Sequence, residues 1–199
     1  FGKHGGLNMK RLNAHTKKRL LFVGAILLII CLALLTACFL KRETIKEQLA
    51  YEYLLKNGDL SPEQAVGIVA NIRQQSNFDT SVHEDVVHST GLMCWAFGRE
   101  EQLSEFAEAK GEEVTSFYLQ LDFLLEELSN SSEFTNYQLM NFHGYTIEDW
   151  EDAQSPEDAA LIFAYLYVRP GKLNETHLMN LAAEIADEVP SFTEGSQVL

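Results

Sequence analysis

Ser61-Pro62-Glu63-Gln64-Ala65-Val66-Gly67-Ile68-Val69-Ala70-Asn71-Ile72-Arg73-Gln74-Gln75-Ser76 decides the fold class of this chain. The run opens as a helix opens. Ser61 is an N-cap, Pro62 takes the first helical position, where a missing N–H costs nothing, and Gln64 stands where it closes a capping box. Ala65, Ile68, Val69 and Ile72 then fall on one apolar face at helical spacing.

The same punctuation recurs on both sides. Before it, residues 44–56 place Ile45, Leu49 and Tyr53 four apart, and Asn57-Gly58 closes that helix. After it, Leu103, Phe106 and Ala107 mark a third helix ending at Gly111, and Phe117, Leu121, Leu124 and Leu128 mark a fourth. Ser155-Pro156-Glu157-Asp158 repeats the start signal ahead of Ala159, Ile162, Phe163 and Leu166, and Asn174 caps a last helix carrying Leu178, Leu181 and Ile185. Asn77 to Arg99 lacks helical periodicity and reads as a short hairpin or an irregular active-site loop. The fold class is therefore mainly α with a small β element. Residues 189–199 read as a linker or a truncated C-terminus.

Charge divides the chain. All 29 acidic residues lie from Glu43 onward, whereas Lys3, Lys10, Arg11, Lys17, Lys18 and Arg19 precede position 20. So acidic a body excludes nucleic-acid binding, which depends on Lys and Arg neutralising phosphates. Three cysteines exclude a disulfide scaffold, and neither Cys nor His falls at ligand spacing for a metal. His83 and His88 are five apart, and Cys94 with either His is a weak thiol-nucleophile pattern, since a lone Cys is usually a small buried hydrophobe. No Gly-rich phosphate cradle is present, and no cofactor is expected.

Leu20 to Leu40 carries no charge, and a helix of that length spans a bilayer core of about 30 Å. The basic residues before it leave residues 1–19 in the cytoplasm and residues 41–188 outside, by the positive-inside rule. A second reading fits the same residues. Met9-Lys10-Arg11 and Lys17-Lys18-Arg19 form the n-region of a signal peptide, Leu20–Leu40 its h-region, and Leu35-Thr36-Ala37-Cys38 a lipobox with Cys38 as the lipidated residue. Both readings place the acidic body at the outer face of a cell membrane.

The body, from about residue 45 to 188, resembles the phage tail lysozyme family. The resemblance rests on four pieces in order. Ala65 to Asp79 resembles the family's AAGIxGNxxxESxFNP helix. Ser89-Thr90-Gly91-Leu92-Met93-Cys94-Trp95 followed by Gly98-Arg99 resembles SxGLxQW and its G-R pair. Gln120 to Leu128 resembles QLxFLxxEL, and Tyr167-Val168-Arg169-Pro170-Gly171 a late YERPG-like segment. The resemblance implies a lysozyme-like helical domain acting on peptidoglycan, in the company of phage-tail or conjugation-type secretion proteins. It implies substrate-binding positions at Ser89, Gly91, Cys94, Trp95 and Tyr167, with Trp95 beside the cleft; stacking on sugar rings and core packing are both open readings of Trp95 and Tyr167.

Three positions depart from the family pattern. Gln75 stands where the family has its Glu, Cys94 where it has a Gln, and Val168 where it has a Glu. Glycoside cleavage needs a carboxylic acid to protonate the leaving oxygen. An amide has no labile proton to give, so the expectation is a lysozyme-like domain with weakened or lost catalysis. Glu84 and Asp85, in the loop facing the same cleft, are the residues left to supply an acid, and the ordinary reading of such a pair is solvated surface. The Glu-rich stretches 100–113 and 126–133 read as solvated helix faces. Two further roles fit the same residues: a non-catalytic wall-binding or scaffolding module, and a membrane-tethered adaptor for another protein.

Overall fold

The protein is described from a computed structural model covering residues 14–84, 88–129 and 144–195, with backbone alone at 14–20, 37–44 and 190–195. The chain divides into two units at Arg42/Glu43. Asp85 and the segment 130–143 lie outside the described residues.

The first unit contributes the N-terminal part of helix α1, Ala14–Asn57. Every side chain from Leu21 to Thr36 is exposed. Among the described residues no helix is long and apolar enough to cross a membrane.

In the second unit, α1 buries Ala50, Tyr51 and Leu54, while Ile45 is 46% and Leu49 38% exposed. The expected face of Ile45, Leu49 and Tyr53 is thus rotated. Glu47, one turn before Ala50 and Tyr51, is on the buried side, and it pairs with Arg73 at 3.1 Å. That ion pair lets a charged residue occupy an inward position that hydrophobic spacing alone would not assign.

Helix α2, Pro62–Ser76, forms as its caps dictate. Ser61 Oγ accepts the Gln64 N–H at 3.2 Å, and the Ser61 N–H donates to Gln64 Oε1 at 2.8 Å. Gln64 Nε2 also donates to the Trp150 carbonyl at 2.8 Å, so the cap is a tertiary tie as well. After α2 come strands β1, His83–Glu84, and β2, Ser89–Thr90, paired antiparallel with Glu84 opposite Ser89. Helices α3, Arg99–Lys110, and α4, Phe117–Ser129, follow, with Gly111 as the left-handed C-cap of α3.

A short helix α5, Ile147–Glu151, stands on a Thr146/Asp149 capping box and buries Trp150; the sequence reading did not anticipate it. Helix α6, Pro156–Phe163, starts at the Ser155 cap and runs into a π-helical turn, Ala164–Val168, in which the Arg169 N–H reaches back five residues to the Ala164 carbonyl at 2.7 Å. Helix α7, Glu175–Gly195, is capped by Asn174, whose Oδ1 accepts the His177 N–H at 3.2 Å. α7 carries its face of Leu178, Leu181, Ala182 and Ile185 into the core, and its helix runs on through 189–195, within the stretch read from sequence as a linker or a truncated C-terminus.

The core is built where α2, α6 and α7 meet. Gly67 makes the α2–α6 crossing possible: a Cβ there would lie 2.8 Å from the backbone of Ala159 and Ala160. Asn71, fully buried one turn later, donates Nδ2 to both the Gly67 and the Ala160 carbonyls, at 2.8 and 2.9 Å. This packing holds the C-terminal end of α2, and with it Gln75, in a fixed position.

Candidate functional site

Helix α2 ends abruptly. Asn77 and Phe78 both take left-handed φ values, 49° and 59°, and turn the chain out of the helix. Phe78 is completely buried, which offsets the strain of that backbone, and its carbonyl accepts Lys46 Nζ at 2.6 Å. Asp79 then closes a turn by accepting the Ser81 N–H at 2.9 Å and the Ser81 O–H at 2.6 Å. Those two bonds, the hydroxyl first, hold its carboxyl below the ordinary value of 3.8.

The segment from Thr90 to Trp95 folds back on itself. Thr90 and Trp95 exchange N–H···O bonds of 2.9 Å in both directions, with Gly91 at φ 73° and Cys94 at φ 50° inside the turn. Gln120 of α4 locks this loop from below. Its Oε1 accepts the Leu92 N–H at 2.8 Å, and its Nε2 donates to the Thr80 and Val114 carbonyls at 2.9 and 2.8 Å. Gly91 is needed twice over. Its φ favours glycine, and a Cβ there would meet Gln120 Oε1 at 2.7 Å.

This locked loop sits against the end of α2. The Cys94 thiol donates to the Gln75 carbonyl at 3.4 Å. Burial, and then the nearby Glu84 charge, push the Cys94 thiol up from its ordinary value. A thiol so placed stays protonated and serves as a donor, the opposite of what a nucleophilic cysteine needs. Gln75, Glu84 and Cys94 are thus gathered in one place, with Gln75 and Cys94 half-buried and Glu84 exposed on β1. Ser89, across the ladder from Glu84, is buried.

The Trp95 ring, at the closing end of the loop, and the Tyr167 ring are buried in the core. Trp95 is fully buried and Tyr167 is 4% exposed, so neither ring offers a face to a sugar. They share a buried polar network with two residues the sequence reading gave no role. Arg99 donates to Glu127 through two bonds of 2.7 Å, Nε to Oε1 and Nη2 to Oε2. Trp95 Nε1 donates to Glu127 Oε2 at 2.9 Å and to the Tyr167 hydroxyl at 3.0 Å, and the Tyr167 hydroxyl donates to the same Oε2. The Arg99 guanidinium stacks on the Tyr167 ring, 4.4 Å from its centroid. Burial above all drives the Tyr167 phenol well above its ordinary value; Arg99 opposes this and Glu127 adds to it.

Glu127 therefore corrects the reading of 126–133 as a solvated face, for it is only 7% exposed. The available signal was its spacing. Glu127 lies seven residues, two helical turns, after Gln120, on the face that meets the loop.

A cavity of about 590 Å³ opens near the start of α2, lined by Gly58, Leu60, Gln64, Phe106, Leu125 and Trp150 among others. Eleven residues of helix, about 16 Å, separate Gln64 from Gln75, so this cavity is distinct from the gathered site. Among the described residues no group of three or more His, Cys, Asp or Glu is arranged to hold a metal ion. Cys38 has its backbone in α1, and its side chain lies outside the described residues, as does Asp85.

Two comparisons bear on this arrangement. A family model described as phage tail lysozyme matches residues 46–189. No curated protein matches the chain.

Proposed function

The chain belongs to the phage tail lysozyme family, and from that premise we propose that its second unit engages peptidoglycan glycan strands while hydrolysing them weakly or not at all. The observation that carries this reading is Gln75. It stands at the C-terminal end of α2, beside the locked loop, where the family resemblance expects the carboxylic acid. Its amide can accept and donate hydrogen bonds to a sugar but delivers no proton to a leaving oxygen. Loss of general acid catalysis costs about 10² to 10⁴ in rate. Glu84 is the nearby carboxylate on β1, and it is exposed, without the apolar enclosure that such acids rely on.

Residues 20–40 anchor the chain in a cell membrane in this proposal, as a retained helix or through lipidated Cys38, with the acidic unit on the outer face. Three features support it. Leu21 to Leu35 present an exposed apolar surface of a size that soluble monomers rarely leave uncovered. The Thr36 hydroxyl is satisfied within the helix, on the Ala33 carbonyl at 2.9 Å. Six basic residues precede position 20. An outer-face location suits work beside a conjugation-type or phage-like secretion apparatus.

The test uses the full chain in mild detergent on purified peptidoglycan, alongside Gln75→Glu, with soluble muropeptides read by mass spectrometry and retention read by sedimentation. Retention by both proteins, with muropeptides released by Gln75→Glu alone, is the expected result. Release by the unchanged chain overturns the loss of catalysis and directs attention to Glu84 and Asp85. Failure of the unchanged chain to sediment with peptidoglycan overturns the glycan reading in favour of a tethered adaptor.

A further inference from the structure

Two phenylalanines near the site have the same backbone conformation and opposite surroundings. Phe78 and Phe97 both have φ of 59°. In this left-handed region a Cβ crowds the following carbonyl, and a bulky residue there is an outlier. At Phe78 complete burial compensates the strain. Phe97 is 92% exposed, so packing returns nothing for it. Its conformation is nevertheless fixed. The Arg99 N–H bonds to the Ala96 carbonyl at 3.3 Å across the turn, and the neighbouring Gly98 N–H bonds to Glu100 Oε2 at 2.9 Å. A strained residue without core contacts, held by its neighbours, points to use rather than to stability.

We propose that Phe97 is a sugar-stacking side chain of the site, receiving the C–H face of an N-acetylated hexose ring of the glycan strand. Phe97 follows Cys94 by three residues, so its Cα lies no more than about 11 Å from that of Cys94. Cys94 in turn touches Gln75. An aromatic face is electron-rich, and sugar C–H groups are weakly positive, so the contact needs no charge on the ligand. That suits a neutral sugar approaching a unit with so large an acidic excess. The inference rests on the glycan reading above and adds to it a recognition residue that lies almost wholly in solvent.

The experiment compares the full chain with Phe97→Gly and Phe97→Tyr in mild detergent, measuring sedimentation on purified peptidoglycan and thermal unfolding. Phe97→Gly is expected to raise the unfolding temperature, because glycine relieves the strained φ, and to weaken retention by about two- to tenfold. Phe97→Tyr is expected to keep retention close to that of the unchanged chain. Equal retention of the glycine variant overturns this inference while leaving the glycan reading intact. So does a glycine variant that loses stability together with retention, which marks a structural residue. Failure of the unchanged chain to sediment overturns the glycan reading and this inference with it. Phe97-dependent retention on lipid vesicles in place of peptidoglycan assigns the residue to a membrane surface and overturns the inference as well.

Discussion

Arg99 and Glu127 meet through two parallel hydrogen bonds of 2.7 Å, with the side chains only 12% and 8% exposed. Glu127 Oε2 also accepts Trp95 Nε1 and the Tyr167 hydroxyl. The pair ties the first turn of α3 to the last turns of α4, directly beneath the Thr90–Trp95 loop. Arg99→Ala is expected to cost about 3–5 kcal/mol, because it strands a buried carboxylate. Urea unfolding followed by circular dichroism measures this. The double variant Arg99→Met, Glu127→Leu is expected to recover much of the loss, and a double variant as unstable as Arg99→Ala alone would show that the Glu127 carboxylate, with its three donors together, contributes net stability.

Gly67 fixes the distance between α2 and α6. Gly67→Ala places a Cβ 2.8 Å from the Ala159 and Ala160 backbone, which a side-chain rotation cannot relieve. The expected cost is about 1–3 kcal/mol in chemical denaturation. A Gly67→Ala protein unfolding at the same midpoint as the unchanged chain would mean that the two helices can separate without penalty.

Much of this architecture was legible in the residues, and the failures share a cause. The caps of α2 and α6 and the left-handed end of α3 are local chemistry, and the backbone follows them at Ser61, Ser155 and Gly111. The end of α1 was misread because Glu47 is buried by a partner on another helix, and a distant Arg73 leaves no trace in local spacing. Glu127 also draws its three donors from other segments, α3, the loop and the π-helical turn, and only its two-turn spacing from Gln120 marks it as inward. The short helix α5 had a local signal, Thr146 with Asp149 three residues on, that a search for apolar periodicity passes over. At the site, the gathering of Gln75 and Cys94 matches the order of motifs. Trp95 and Tyr167 are core residues in the structure, and nothing in a one-dimensional motif separates an aromatic beside a cleft from one beneath it.

Asp79 makes the turn after α2 sensitive to acid. Its carboxyl is held below 3.8 by the Ser81 hydroxyl and then by the Ser81 N–H. A depressed folded value contributes stability above the unfolded value, and that contribution disappears as pH falls through the folded value. Asp79→Ala is therefore expected to lower the unfolding temperature slightly at about pH 7 and to have little effect at about pH 2. An equal effect at both pH values would exclude the charge-assisted turn as its origin.

Cys94 is expected to resist alkylation. With its thiol pushed up by burial and by Glu84, and donating to the Gln75 carbonyl, little thiolate is available. Iodoacetamide at about pH 8 should label it at least about tenfold more slowly in the folded protein than in urea. Cys94→Ser, in the Gln75→Glu background, should leave any muropeptide release standing. Loss of release in that variant would return the thiol to the list of reacting groups.

The π-helical turn between Ala164 and Val168 holds one residue more than an α-helix would in the same length. Successive residues of an α-helix are about 100° apart around its axis. Deleting a single residue ahead of Tyr167 in this turn would therefore swing Tyr167 away from Glu127 while leaving Phe163, upstream of it, where it is. The hydroxyl that completes the buried network is delivered by a change of helical phase. The length of that turn therefore bears on the network as much as the identity of the residue it presents, and an insertion or deletion there would act at a distance, on the footing of the loop that carries Cys94.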